Sequence, residues 1–539
     1  MIRAAVLAAL VATLALGGFG SRPAQAVSTA GFPEGYGGYH SYAEMEAFLD
    51  AVVADHSAIA RKVSIGRSHE GRHIWALKIS DNVAQDEAEP EILFESLSHA
   101  RERLTVEMAL RIVELLTDGY ADDKRIRQIV RTREIWVVPM VNPDGGEWDA
   151  GDPDNGFRSW RRNRLPIPDA QPIGIDLNRN WGFKWACCGG SSGKPGASTY
   201  RGQSAWQAPE VAALRDFVLS RVVGGRQQIR AAISWHAFNE EIMWPYGYTR
   251  ADLPRTMSQA DLLAFRAVGE GMAARNGYTP QQLSDLYILD GGSSDWLYGD
   301  QRIFAFTVEM YPTDNSNVGG FYPPDDVIER ETTRNDEAVL YFLEQADCPF
   351  RAAGLGTTHC GPLNDDFEAA RGWTVDPFGT DSATRGTWER AVPQKSRNAA
   401  GVKQRAFGFS GRAALVTGAL RGSSVAANDV DGGLSSVRSP EFKLGQPGSQ
   451  GWTLSLRYTF AHNAKARAVD FLRVSVNGTT VFSQAGFAGN RNAVWTPVTV
   501  DLDAFAGQTV RVLIEASDSG RDSLVEAAVD DLRVYQVAP

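Results

Sequence analysis

Cysteine and histidine are scarce in this chain, at four and eight of 539 residues. Four cysteines exclude a small disulfide-built scaffold and leave room for at most two bridges. A surplus of basic residues is missing too: 54 Lys and Arg against 65 Asp and Glu give a net charge of −11. That excludes sequence-independent nucleic-acid binding, which needs a basic face. No run approaches the length of apolar residues that crosses a bilayer, so no membrane insertion is expected. What is present is the composition of a folded protein, 43% hydrophobic and 22% charged. The length exceeds what one core supports, so at least two domains are expected.

The N-terminus reads as an address. Arg3 precedes an apolar run at Ala4–Leu16, and Ala24-Gln25-Ala26 makes a small-x-small cleavage site. Residues 1–26 are therefore expected to be a secretory signal peptide and 27–38 a short N-terminal segment, with a secreted or periplasmic product. Helical spacing over Tyr42–Ala54, Val106–Leu116 and Gln207–Val222 alternates with short strands at Ile92–Glu95, Ile135–Val141, Ala231–Trp235 and Ile303–Glu309. Several of these strands are apolar throughout, which predicts an α/β sheet covered on both faces over 39–348. Residues 349–365, with four Gly or Pro between Gly354 and Pro362, read as a linker. Beyond it, alternating runs at Trp452–Phe460, Phe471–Val476, Thr480–Phe482, Trp495–Leu502 and Thr509–Ile514 predict an all-β sandwich over 366–539. Asn477-Gly478 is the hairpin turn between two of them, and with Thr479 it also fits a glycosylation pattern.

His99 and Glu102 stand three apart where a strand gives way to a helix, so both can address one ion. The bland reading is a surface His beside a capping Glu. His236 ends a second buried strand, at the edge where α/β sheets collect ligands. Two nitrogens and a carboxylate with an open fourth position make a catalytic zinc site. Glu309 ends a third strand at the same edge, where a carboxylate is costly unless it has a partner or a task. A general base and a buried ion pair both fit it. Arg161, Asn178 and Arg179 lie in polar loop sequence suited to binding a carboxylate.

Together, His99-x-Arg101-Glu102, Val141-Asn142-Pro143-Asp144-Gly145, Trp160-Arg161, Asp176-Leu177-Asn178-Arg179-Asn180, His236, Tyr287 and Phe304–Pro312 resemble the zinc metallocarboxypeptidases (funnelins) of the carboxypeptidase A and B type, nearest the bacterial carboxypeptidase T pattern. The resemblance covers about residues 36–350. It implies a mixed eight-stranded sheet flanked by helices, with His99, Glu102 and His236 as zinc ligands. It also implies Glu309 as general base and acid, and Arg161 as the residue that polarises the scissile carbonyl. Asn178 and Arg179 would hold the substrate's terminal carboxylate, Tyr287 would close over it, and Arg101 would be an auxiliary contact. The expected partner is a peptide or protein with a free C-terminus, and the expected state is a monomer.

The same resemblance places the side-chain pocket at Asp290, Gly292 and Ser294. Ser294 stands where basic-specific relatives carry an acid, so broad specificity leaning to apolar and aromatic C-terminal residues is expected. Asp86, Glu87, Glu89 and Glu91 resemble a calcium-binding segment, so a structural calcium ion is expected beside the zinc. No pro-domain of the usual size is expected. The C-terminal region looks like the jelly-roll modules appended to secreted hydrolases. Cys348 and Cys360 are placed to pair, and Cys187-Cys188 are adjacent. Two other readings stay open: a cell-wall muropeptide carboxypeptidase, and a catalytically silent secreted protein that binds through its β-domain.

Overall fold

A computed structural model describes residues 32–150, 156–168, 171, 173–314, 320–446, 451–519 and 523–537. The expected signal peptide and residues 27–31 of the short N-terminal segment lie outside the described residues. Eight strands form the first sheet: β1 (Ala60–Arg67), β2 (His73–Ile79), β3 (Glu91–Glu95), β4 (Glu134–Val138), β5 (Ile229–Ala237), β6 (Glu241–Trp244), β7 (Thr279–Gln282) and β8 (Phe304–Met310). They are ordered β1-β2-β4-β3-β5-β8-β6-β7. The centre, β4-β3-β5-β8, is parallel, and antiparallel pairs flank it. The sheet is mixed, as the resemblance implied.

Its interior strands are apolar on both faces because both faces are covered. In β3, Ile92 and Phe94 enter one core while Leu93 enters the other, and β4 and β5 alternate likewise. Helix Leu104–Asp122 lays Val106, Leu110, Val113 and Leu116 against the first of these cores. It stops at Asp123, whose side chain accepts the Arg125 and Ile126 amides and so starts the next helix. Ser41 and Glu44 make a reciprocal cap that opens helix Tyr42–Asp55. β4 ends at Val138, short of the expected Val141, because Pro139 has no amide to continue the ladder.

Residues 349–365 correct an expectation. They are not a free linker but carry a 3-10 turn (Pro349–Arg351), a short helix (Gly356–His359) and a strand (Leu363–Asp365). That strand pairs with Val525–Val537, so the sandwich begins at Leu363. Gly361 is needed here: a Cβ on it would sit 1.8 Å from the Val534 carbonyl oxygen. A Cys348–Cys360 disulfide closes the segment.

The second region is two antiparallel sheets over one core that holds Trp388, Leu454, Phe460, Val474 and Ile514. In the first sheet, strand Val525–Val537 lies between Ala414–Thr417 and Gly451–His462 and also pairs with Leu363–Asp365. The Asn477-Gly478 turn has both residues at positive φ, 47° and 84°. Asn477 donates to the Thr509 carbonyl and accepts the Arg511 amide through its side chain. Arg302 of the first region is buried against Asp366 and Glu368 of the second, at 3.9 and 3.3 Å.

Candidate active site

The carboxyl ends of β3, β5 and β8 lie at one edge of the sheet. After β3 the chain turns sharply, with Leu97 in the left-handed region at φ 54°. Thr105 fixes the turn: its hydroxyl accepts the Leu97 amide at 3.1 Å and donates to the Glu102 carbonyl at 2.7 Å. The Ala100 amide donates to the Arg161 carbonyl at 3.1 Å, tying the turn to the loop that carries Arg161. His99 and Glu102 are thereby brought, buried, against His236 on β5.

His99 Nδ1 is 2.8 Å from Glu102 Oε1, His236 Nδ1 is 2.9 Å from Glu102 Oε2, and the two Nδ1 atoms are 3.1 Å apart. His99 Nε2 donates to Asp176 at 3.1 Å, which leaves its Nδ1 as a lone pair facing a nitrogen and a carboxylate. The His99 Nδ1 lone pair, the Glu102 carboxylate and the His236 ring nitrogen converge, and this N,N,O set is a zinc donor set. Burial alone would raise the Glu102 carboxyl, but His99 and His236 outweigh it and hold it below the usual range. Burial and then Arg161 lower His99; His236 is raised, Glu102 outweighing its burial.

Arg161 donates through Nε to Asp176 at 2.9 Å, and its Nη1 lies 3.9 Å from Glu102. Asp176 therefore orients both His99 and Arg161, and the Asn178 amide donates to it as well. Burial would raise the Asp176 carboxyl, yet Arg161 and His99 hold it well below its usual range. Glu309 on β8 pairs in register with His236, and its Oε2 is buried with no hydrogen-bond partner. Burial, then the Glu102 charge, push the Glu309 carboxyl up to about 8.

With this geometry in hand, the comparisons decide the family. The family model described as zinc carboxypeptidase matches residues 45–338. A zinc carboxypeptidase of Saccharothrix mutabilis subsp. capreolus is 48% identical over 331 residues, covering 61% of this chain and 74% of that one. Carboxypeptidase A1 of Bos taurus is 30% identical over 296 residues, covering 54% and 67%. The solved structure of carboxypeptidase A from Helicoverpa armigera is similar at 26% identity and a TM-score of 0.50, covering 58% and 73%.

The chain belongs to the zinc carboxypeptidase family. It is an enzyme whose cofactor is zinc and whose substrates are peptides. Around this carboxypeptidase's metal-ligand cluster, Asn178 puts Nδ2 3.4 Å from His236 and accepts the Ser293 amide at 2.9 Å. Arg179 is buried, donating through Nε to the Gly190 carbonyl and through Nη1 to the Asn178 carbonyl. Tyr287 ends helix Leu283–Leu286, is 39% exposed, and has its ring 5.7 Å from the Arg179 guanidinium. The Arg101 guanidinium stacks 3.8 Å over Phe321.

Asp290 is fully buried, and its carboxylate is taken up by a neighbouring loop: it accepts the Cys188 and Gly190 amides at 3.0 and 2.9 Å and the Ser191 hydroxyl. A Cβ at Gly292 would lie 2.3 Å from Leu289 Cδ2, so no acid fits there without displacing Leu289. Ser294 is buried and shares a 2.7 Å hydrogen bond with Thr307. The adjacent Cys187–Cys188 are disulfide-bonded, and the loop they head carries the Asp290 donors and the Arg179 acceptor. Asp176 was missed by sequence reasoning, because it stood in the quoted motif without a role.

Only two of the four acids expected to hold calcium come together. Asp86 and Glu91 converge with Glu134, but not with Glu87 and Glu89. A guanidinium already fills the place: Arg221 donates to Asp86 at 2.8 Å and to both Glu91 oxygens at 2.7 and 2.8 Å. No helix among the described residues is long and apolar enough to cross a membrane.

Proposed function

We propose that the enzyme is a secreted carboxypeptidase that hydrolyses the last peptide bond of peptides and proteins and releases single amino acids, with a preference for apolar and aromatic C-terminal residues. One observation carries the reading: His99, Glu102 and His236 converge at the sheet edge where Glu309 holds an unpartnered buried carboxylate oxygen. When bound there, zinc supplies Lewis-acid chemistry, acidifying water toward a pKa of about 7 and polarising the scissile carbonyl. Glu309 takes a proton from the attacking water and returns it to the leaving amine nitrogen as the C–N bond breaks. Arg161, oriented by Asp176, donates to the carbonyl oxygen as negative charge develops on it.

Asn178 and Arg179 hold the terminal carboxylate, and Tyr287 packs over it from the exposed side. A residue inside a chain offers Arg179 no carboxylate, which restricts cleavage to the end. The preference for apolar residues is supported by the pocket segment: Ser294 is neutral, Gly292 has no side chain, and the Asp290 carboxylate is taken up by its own loop. Export is supported by the N-terminal sequence and by two disulfides. The sandwich, of the jelly-roll kind, is an accessory module.

The test is release of amino acids from peptides with free and with amidated C-termini. Chelation should abolish release and zinc should restore it, and only the free peptide should be cut. Cleavage of γ-linked muropeptides in preference to α-linked peptides would favour the cell-wall reading. Absence of any turnover in the zinc-loaded protein would favour the silent binding protein.

A further inference from the structure

We propose that the cleft between the two regions binds a small multivalent oxyanion of the phosphate or sulfate class, held by Arg226 and Arg230 of the carboxypeptidase domain and Arg371 of the sandwich. The cleft has a volume of about 630 Å³, and all three guanidinium-bearing residues line it. Arg230 is the second residue of β5, six residues before His236, so this site lies about 20 Å from the metal-ligand cluster at the opposite end of the strand. It is independent of the peptidase reading.

The arginines are brought together by backbone contact. Arg226 lies on a hairpin, Val222–Val223 with Arg226–Gln227, whose Gly224-Gly225 tip has φ of 57° and 78°. The tip packs directly on the residue after Arg371: a Cβ on Gly225 would be 2.6 Å from Gly372 Cα, and one on Gly372 would be 2.2 Å from the Gly224 oxygen. Arg226 and Arg371 also line a second, smaller cavity beside the first.

Their charge is only partly matched by the protein. Among the described residues Arg226 and Arg230 make no ion pair, and Arg371 meets Asp365 only at 3.5 Å. Glu91, the carboxylate that acts on Arg230, has both oxygens bonded to Arg221. Of the four acids on the rim, three are paired or raised, and Glu87 accepts from the Asn82 side-chain amide. Asp86 pairs with Arg221, and Asp347 with Arg133 and Arg351. Burial and the neighbouring Glu87 charge push Glu89 up to about 7. Burial, with repulsion from Arg226 and Arg371, lowers Arg230 to about 9. Desolvated, mutually repelling guanidinium groups are costly unless an anion joins them, and planar N–H forks suit tetrahedral oxyanions.

The experiment is calorimetric titration of the full zinc-loaded chain with inorganic phosphate, at ionic strength fixed with sodium chloride, alongside thermal unfolding. The expected result is saturable binding at one site per chain, with an unfolding midpoint that rises with phosphate. Arg230→Gln should weaken binding about tenfold or more, with peptide hydrolysis unchanged. Arg226→Gln, on the surface hairpin, should do the same and serves if the first variant folds poorly. Absence of saturable binding would overturn the proposal, and so would wild-type affinity in both variants. Binding of polyphosphate without binding of inorganic phosphate would overturn it as well.

Discussion

Glu309 stands directly opposite His236 in the parallel register of β8 and β5. In a parallel pair, residues in register lie at the same height on neighbouring strands, so a member of the candidate metal cluster and a carboxylate with an unpartnered oxygen are presented side by side by backbone pairing alone. Glu309 is therefore positioned by neighbouring strands of the parallel block and not by a loop.

Replacing Glu309 by Ala should lower kcat by about 10²–10⁴-fold while one zinc per chain is retained. Steady-state hydrolysis with metal analysis on the same sample reads both. If zinc were lost together with activity, Glu309 would be a structural partner of the site instead of its base.

Asp176→Asn preserves shape but turns an acceptor of the His99 Nε2 proton and of Arg161 into a poorer one. Zinc affinity should fall about 10–100-fold, measured by chelator competition, and kcat at saturating zinc should also fall because Arg161 is less firmly held. An affinity equal to that of the parent enzyme would contradict the role given to Asp176.

Matched peptides ending in Phe, Leu, Lys and Glu should be cut in the order Phe and Leu first, with kcat/KM for Lys lower by about tenfold or more. The comparison tests whether Asp290 is as unavailable as its three donors make it. A strong preference for Lys would refute the proposed specificity.

Opening the Cys187–Cys188 bridge, by reduction or in the double Cys→Ser variant, should raise KM several-fold with a smaller change in kcat. The bridge heads the loop whose amides hold Asp290 and whose Gly190 carbonyl holds Arg179, and Arg179 is assigned to carboxylate binding. A loss confined to kcat, with KM unchanged, would detach the bridge from substrate binding.

The central strands were legible because burial on both faces leaves unbroken apolar runs, as in Ile92–Phe94 and Ala231–Ile233. The hairpin of β1 and β2 was not, since charged and polar residues interrupt its pattern at Arg61, Lys62, Arg67 and His73. β7, Thr-Pro-Gln-Gln, has no apolar period at all. The metal ligands were legible from short spacing and strand ends. Asp176 was not, because its bond to His99 spans 77 residues and only the fold brings the two together. Asp290 was visible as an acid, but its direction is set by the amides of a loop about a hundred residues earlier. Gly361 reads as linker texture, and the close approach to Val534 that requires it is invisible in one dimension.

Strand Val525–Val537 sits in the middle of the sandwich's first sheet, yet it follows every strand it pairs with in the chain. During synthesis the carboxypeptidase sheet has all eight of its strands once Met310 has emerged. The sandwich, by contrast, must wait with Leu363–Asp365, Ala414–Thr417 and Gly451–His462 unjoined until residue 537 arrives. The two regions are thus completed in order, the catalytic one first, and the sandwich closes in a single late step.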